Sequence, residues 1–200
     1  MIILEDISLR RGAKLLMQGA SATLQPGQKI ALIGANGTGK SSLFALLMGH
    51  LSSDSGDIRG MSSLRVAHMA QELESSDETA LNFVLGGDAE VFRLTQEIAK
   101  VEAAENYERA AYLYQELETV DGYSAPRRAE QLLLGLGFNQ TELNNAVTDF
   151  SGGWRVRLNL ARALMTPSVV LLLDEPPSDG ALELNVLVSI MSDPAFKYCW

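Results

Sequence analysis

The chain has 200 residues, 46% of them hydrophobic and 20% charged, which is enough apolar material for one substantial core or one domain with a subdomain. A net charge of −9 argues against a surface that grips nucleic acid by bulk charge, and the lone cysteine, Cys199, excludes an intrachain disulfide. No apolar run approaches the roughly 20 residues of a membrane helix, and Met1–Asp6 lacks a basic segment leading into a long apolar one, so a reducing, cytoplasmic setting is expected.

The chain opens on strands and turns. Ile2–Leu4, Ile7–Arg10 and Ser21–Leu24 read as strands, Pro26-Gly27 as a turn, and Lys29–Ile33 as a buried strand. That strand runs into Gly34-Ala35-Asn36-Gly37-Thr38-Gly39-Lys40-Ser41, which fits the phosphate-binding pattern G-x-x-x-x-G-K-[ST], and Ser42–Met48 reads as the helix leading out. Glycines let the backbone wrap a phosphate chain with its N–H groups inward, and the helix N-terminus adds partial positive charge. Lys40 is placed to reach the β- and γ-phosphates of a nucleotide. Ser41 is placed to ligate Mg²⁺, and Gly34, Asn36, Gly37, Thr38, Gly39 and Ser42 complete the candidate site. An ordinary glycine-rich turn is the plain alternative, and the flanking strand and helix count against it.

A short strand is expected near Leu64–Met69, followed by a mostly helical stretch to residue 149. Leu94, Ile98 and Val101, then Ala110, Leu113, Leu117 and Val120, give two apolar stripes at helical spacing with a turn near Asn106. Residues 89–118 carry seven acids (Glu90, Glu97, Glu102, Glu105, Glu108, Glu116, Glu118) against Arg93, Lys100 and Arg109, a poor match to a phosphate backbone. Tyr107, Tyr112 and Tyr114 either dock protein or pack. His50 and His68 read as structural or solvent-exposed.

Phe150-Ser151-Gly152-Gly153-Trp154 precedes an amphipathic helix with Leu158, Ala161, Leu164 and Met165 on one face. Ser151 is a good N-cap residue, and the glycines expose backbone N–H groups that make a second anion site. Val169–Leu173 then reads as a strand covered on both faces, as in a parallel sheet, ending in Asp174-Glu175 where open α/β sheets bind ligands. Asp174 is the candidate Mg²⁺ holder, and Glu175 is the candidate general base for an attacking water.

The order of phosphate loop, Phe150–Trp154 turn and Asp174 strand resembles the ATP-binding cassette proteins, whose signature is written LSGGQ. Phe for Leu and Trp for Gln, with the run Phe150–Leu164, make it similar to the ABC-F class. The resemblance covers residues 1–176. It implies an α/β fold: a P-loop NTPase cassette core with an N-terminal antiparallel β-subdomain and a helical subdomain, the C-terminal part of the core missing. Residues 1–71 would form the β-subdomain and first half of the core, 72–149 the helical subdomain with an arm-like hairpin, 150–176 the signature helix and acidic strand, and 177–200 an aberrant tail.

By the same resemblance the protein is an ATPase of tandem-cassette type, acting with ATP and Mg²⁺ on the ribosome or tRNA in translation. Gln71 matches the glutamine that senses Mg²⁺ and the attacking water. Ser151, Gly152 and Gly153 would cap ATP held by a second cassette. The family's adenine-stacking aromatic is replaced by Arg10-Arg11-Gly12. Where an ABC-F cassette continues Thr-Asn-His-Leu-Asp, this chain has Pro177-Ser178-Asp179-Gly180-Ala181, and no histidine follows. A truncated or frame-altered tail is therefore expected, with true divergence as the alternative. Hydrolysis by this chain alone is expected to be deficient. The sheet is expected to end at the Asp174 strand with an apolar edge exposed, and Ala181–Met191 has a periodicity that suits a helix. The other readings are the ATPase subunit of an ABC transporter and a non-catalytic nucleotide-binding remnant.

Overall fold

The computed structural model describes residues 1–35, 37–61, 65–69, 76–168, 170–174 and 186–190. It divides into two compact units, one of Met1–Gln71 with Ser168–Cys199, the other of Glu72–Pro167.

The first unit holds two sheets. In the smaller, β1 (Ile2–Arg11) lies between β2 (Lys14–Leu24) and β4 (Ser55–Arg59), all antiparallel. The two short strands expected before Arg11 are one strand. Ile2 and Leu4, then Ile7 and Leu9, are buried, so the alternation shifts by one residue at Asp6. Asp6 has φ 50° and its N–H donates to Ser21 Oγ at 3.0 Å. This bulge takes up the extra residue and keeps four apolar side chains on one face. A sequence reading takes the broken alternation for a break in the strand.

The larger sheet has the order β3-β7-β6-β5, with β3 (Lys29–Ala31), β5 (Val66–Met69), β6 (Val170–Asp174) and β7 (Val186–Ile190). Four expectations are corrected here. Lys29–Ile33 is not a buried strand: it ends at Ala31, lies at the sheet's edge, and leaves Ile33 77% exposed. The β6 edge is not open, because β7 pairs along its whole length, and Val186–Ile190 is a strand rather than part of a helix. The sheet is also mixed: β5 and β6 are parallel, whereas β7 is antiparallel to both β6 and β3. Eleven residues separate Asp174 from Val186. Over that short connection the chain returns antiparallel. The reading of β6 as covered on both faces holds, with Val170 through Leu173 all buried.

Between the sheets runs α1 (Lys40–Leu47). Its Phe44, Leu46 and Leu47 join Ile2, Leu4, Ile7 and Leu24 on one side and Val170 and Leu172 on the other in a single core. That packing anchors the helix whose N-terminus ends the phosphate loop.

The second unit is helical: α2 (Ala80–Leu85), α3 (Ala89–Ala103), α4 (Tyr107–Thr119), α5 (Ala125–Gly135) and α6 (Gly152–Met165). The two apolar stripes are realised. Val91, Leu94 and Ile98 of α3 face Ala110, Leu113 and Leu117 of α4, and Asn106 caps α4 by accepting from Arg109 N at 3.1 Å. Leu158, Ala161 and Met165 bury α6 against α2 and α5. Asp88, 3% exposed, caps α3 through Val91 N and meets Arg128 at 3.4 Å. Among the described residues no helix is long and apolar enough to cross a membrane.

Candidate functional site

Strand direction assembles the site. β3 and β6 are each antiparallel to β7, so they run the same way, and Ala31 and Leu173 both stand opposite Leu187. Met69 of β5 stands level with Leu173. Three chain exits therefore share one edge of the sheet: Ala31 into the phosphate loop, Met69 into the segment bearing Gln71, and Asp174 itself. With strands about 4.8 Å apart, the first and last lie about 10 Å from each other. This is the edge where open α/β sheets bind ligands. Gln71, Glu175 and Asn36 lie outside the described residues, and Asp174 is placed by its backbone alone.

The loop is held by its own side chains. Lys40 Nζ donates to Gly34 O at 2.6 Å and to Ala35 O at 3.0 Å, and Thr38 Oγ1 donates to Ala35 O at 2.8 Å. Gly39 caps α1 in a left-handed conformation, φ 106°, with no side chain spent on the first turn. A β-carbon there would come within 3.1 Å of Leu16 Cβ. Only glycine fits both demands. No acid lies in the first turn of α1, so its free N–H groups and dipole stay available to an anion. Ser41 is exposed at the start of the helix, whereas Ser42 is buried at 5%, so Ser42 offers the loop its backbone N–H rather than its hydroxyl.

Among the described residues no group of three His, Cys, Asp or Glu could hold a metal ion. A divalent ion here would need nucleotide oxygens beside Ser41 and Asp174, the usual economy of Mg²⁺. One contact was not foreseen from the sequence. Lys14, the first residue of β2, donates from Nζ to Gly37 O at 2.8 Å.

In the helical unit Ser151 occupies the N-cap of α6, but its hydroxyl caps nothing, which corrects the expected side-chain cap. Its carbonyl accepts from Arg155 N at 2.9 Å. Ser151, Gly152 and Gly153 are exposed, and a β-carbon at either glycine would meet nothing within 4 Å. Neither has a positive φ. Nothing inside the unit explains two glycines in the first turn of a helix, where alanine is the better helix former. The flanking aromatics do have an internal role. Phe138 lies edge-on to Phe150 and Trp154, at 5.5 and 4.7 Å between ring centres, and Arg157 stacks on Trp154 at 4.8 Å while donating to Leu136 O. The two departures from LSGGQ thus brace the turn against the segment after α5.

A phosphate loop and an acidic strand end at one sheet edge, beside an α/β core, define a phosphate-loop nucleotide-binding protein. Residues 17–178 match the ABC transporter family model, and the chain belongs to that family of ATP-binding cassettes. It is 44% identical over 188 residues to "Probable ATP-binding protein YheS" of Haemophilus influenzae, covering 94% of this chain and 29% of that protein. It is 36% identical over 181 residues to human "ATP-binding cassette sub-family F member 3", covering 86% of this chain and 25% of that one. The chain spans under a third of the length of either relative. Two solved ATP-binding cassettes of ABC transporters share the fold, one nucleotide-free (TM-score 0.56) and one in an ADP conformation (TM-score 0.58). Each is 19% identical, covering 90% of this chain and 70% of that structure.

Proposed function

We propose that the chain is one cassette of an ABC-F type ATPase that works in the cytoplasm on the ribosome, with two cassettes closing on ATP. The observation that carries this is the phosphate loop, with Gly39 left-handed and Lys40 turned into the loop, at the same sheet edge as Asp174. The loop N–H groups and the N-terminus of α1 bind the phosphates, and Lys40 moves from the Gly34 and Ala35 carbonyls to the β- and γ-phosphates. Ser41 and Asp174, with Gln71 near the attacking water, would hold Mg²⁺, which when bound neutralises charge on the leaving phosphates. Glu175 takes the proton of the attacking water. Ser151, Gly152 and Gly153 cap the γ-phosphate of ATP held by the second cassette, and their lack of any internal packing role supports a partner-facing one. Residues 1–200 alone turn ATP over poorly, since no histidine follows His68 to serve as the switch residue.

Titration calorimetry with MgATP tests the reading. Lys40→Ala should weaken binding at least tenfold, about 1.4 kcal/mol or more. Affinity equal to the parent's would overturn the phosphate-loop assignment.

A further inference from the structure

We infer that Lys14 is a second cation of the nucleotide site, seated on the flank of the phosphate loop and acting on the phosphates by its charge. The inference rests on the loop binding a nucleotide, as proposed above.

Lys14 is exposed, yet its position is specified. Its ammonium bonds Gly37 O at 2.8 Å, across 23 residues of sequence. Leu16, two residues further along β2, sits against Gly39. The start of β2 therefore lies along the loop from Gly37 to Gly39, and β2 is itself fixed by its pairing with β1. One of the three ammonium donors is used by Gly37, which leaves two for a ligand.

The loop's carbonyls make the same point. Gly34 O and Ala35 O accept from Lys40, and Gly37 O accepts from Lys14. A carbonyl oxygen beside a phosphate repels it, and an ammonium on that oxygen cancels the repulsion. Lys14 does for Gly37 what Lys40 does for the loop's first turn.

Charge along the chain points the same way. Residues 7–53 contain no Asp or Glu but hold Arg10, Arg11, Lys14, Lys29 and Lys40, five positive charges in a chain whose net charge is −9. The rest of the sequence then carries −14 (−9 minus +5). A local positive field in an acidic protein draws a polyanion to that one segment.

Lys14 acting only as a strut for the loop would need a donor and no charge, so the test compares charge with hydrogen bonding. Residues 1–200 carrying Lys14→Ala, Lys14→Gln or Lys14→Arg are titrated with MgATP and with AMP. Lys14→Ala is expected to weaken MgATP about fivefold, as an exposed charge pair allows. Lys14→Arg should bind close to the parent and Lys14→Gln as weakly as alanine. The loss should be smaller for AMP and should shrink between about 50 and 500 mM NaCl, where screening shortens from over 10 Å to a few ångströms. MgATP affinity unchanged in Lys14→Ala, or restored by Lys14→Gln, overturns the inference. The arginine-against-glutamine comparison decides even where alanine loosens the loop. Lys40→Ala runs alongside: if it too binds like the parent, the loop reading has failed, whereas loss with Lys40→Ala alone sinks only the role of Lys14.

Discussion

Gly39→Ala perturbs the point where the phosphate loop becomes a helix, and its cost can be worked from two separate terms. The first is conformational. At φ 106° an L-residue is strained by about 1–2 kcal/mol. The second is steric. The new methyl would lie 3.1 Å from Leu16 Cβ and 3.5 and 3.6 Å from its two δ-carbons. The Cβ is fixed to a paired strand and cannot rotate away, so overpacking adds about 1–3 kcal/mol. The sum is about 2–5 kcal/mol, a fall of roughly 10–20 °C in the melting midpoint of a unit of about 100 residues. Gly12→Ala separates the terms: Gly12 has φ 61° but open space around it, so it should cost only the conformational part. Thermal melts of the two variants and the parent, with MgATP titrations, make the comparison. The loop can instead relax to relieve strain, in which case stability recovers but MgATP affinity falls. Gly39→Ala matching Gly12→Ala in stability while binding MgATP like the parent would refute the reasoning.

In the tandem protein proposed above, Glu175→Gln should retain ATP and cut steady-state phosphate release by about 10²–10⁴-fold; parental turnover would remove Glu175 as the base. Gly152→Ala and Gly153→Ala should each stabilise α6 by up to about 1 kcal/mol in denaturant melts, since the added methyl meets nothing. In the tandem protein the same changes should slow ATP turnover, and unimpaired turnover would show that the glycines do not face a partner's nucleotide. Phosphate release by residues 1–200 should be no faster than by the same chain with Lys40→Ala. Robust, Lys40-dependent turnover would mean that residues 1–200 hydrolyse ATP without the switch histidine that the proposed mechanism calls for.

Local shape that depends on short spacing was legible in the sequence. Gly34 to Ser41 is one contiguous loop whose glycines turn the backbone and whose Lys40 side chain reaches back to Gly34 and Ala35, so eight letters sufficed for its shape. The helical hairpin was legible for the same reason, since Leu94, Ile98, Leu113 and Leu117 repeat at the period of a helix. Four buried residues in a row, Val170 to Leu173, likewise announced a strand covered on both faces.

Tertiary structure decided what depends on distant pairing. Whether Asp174 ends at the sheet edge that carries the phosphate loop depends on the register of β3 and β6 against β7, residues that no local pattern relates. The bulge at Asp6 looked like the end of a strand because its effect, keeping Ile7 inward, shows only against a partner. The cover on β6 came from Val186–Ile190, whose apolar periodicity fits a helix until the short connection from Asp174 and an open strand edge make pairing the better use of its N–H groups. Lys14 was one lysine among surface charges in sequence. It becomes part of the site because pairing of β2 with β1 sets it on Gly37, 23 residues away. A side chain's reach is local, but its neighbours are chosen by the whole fold.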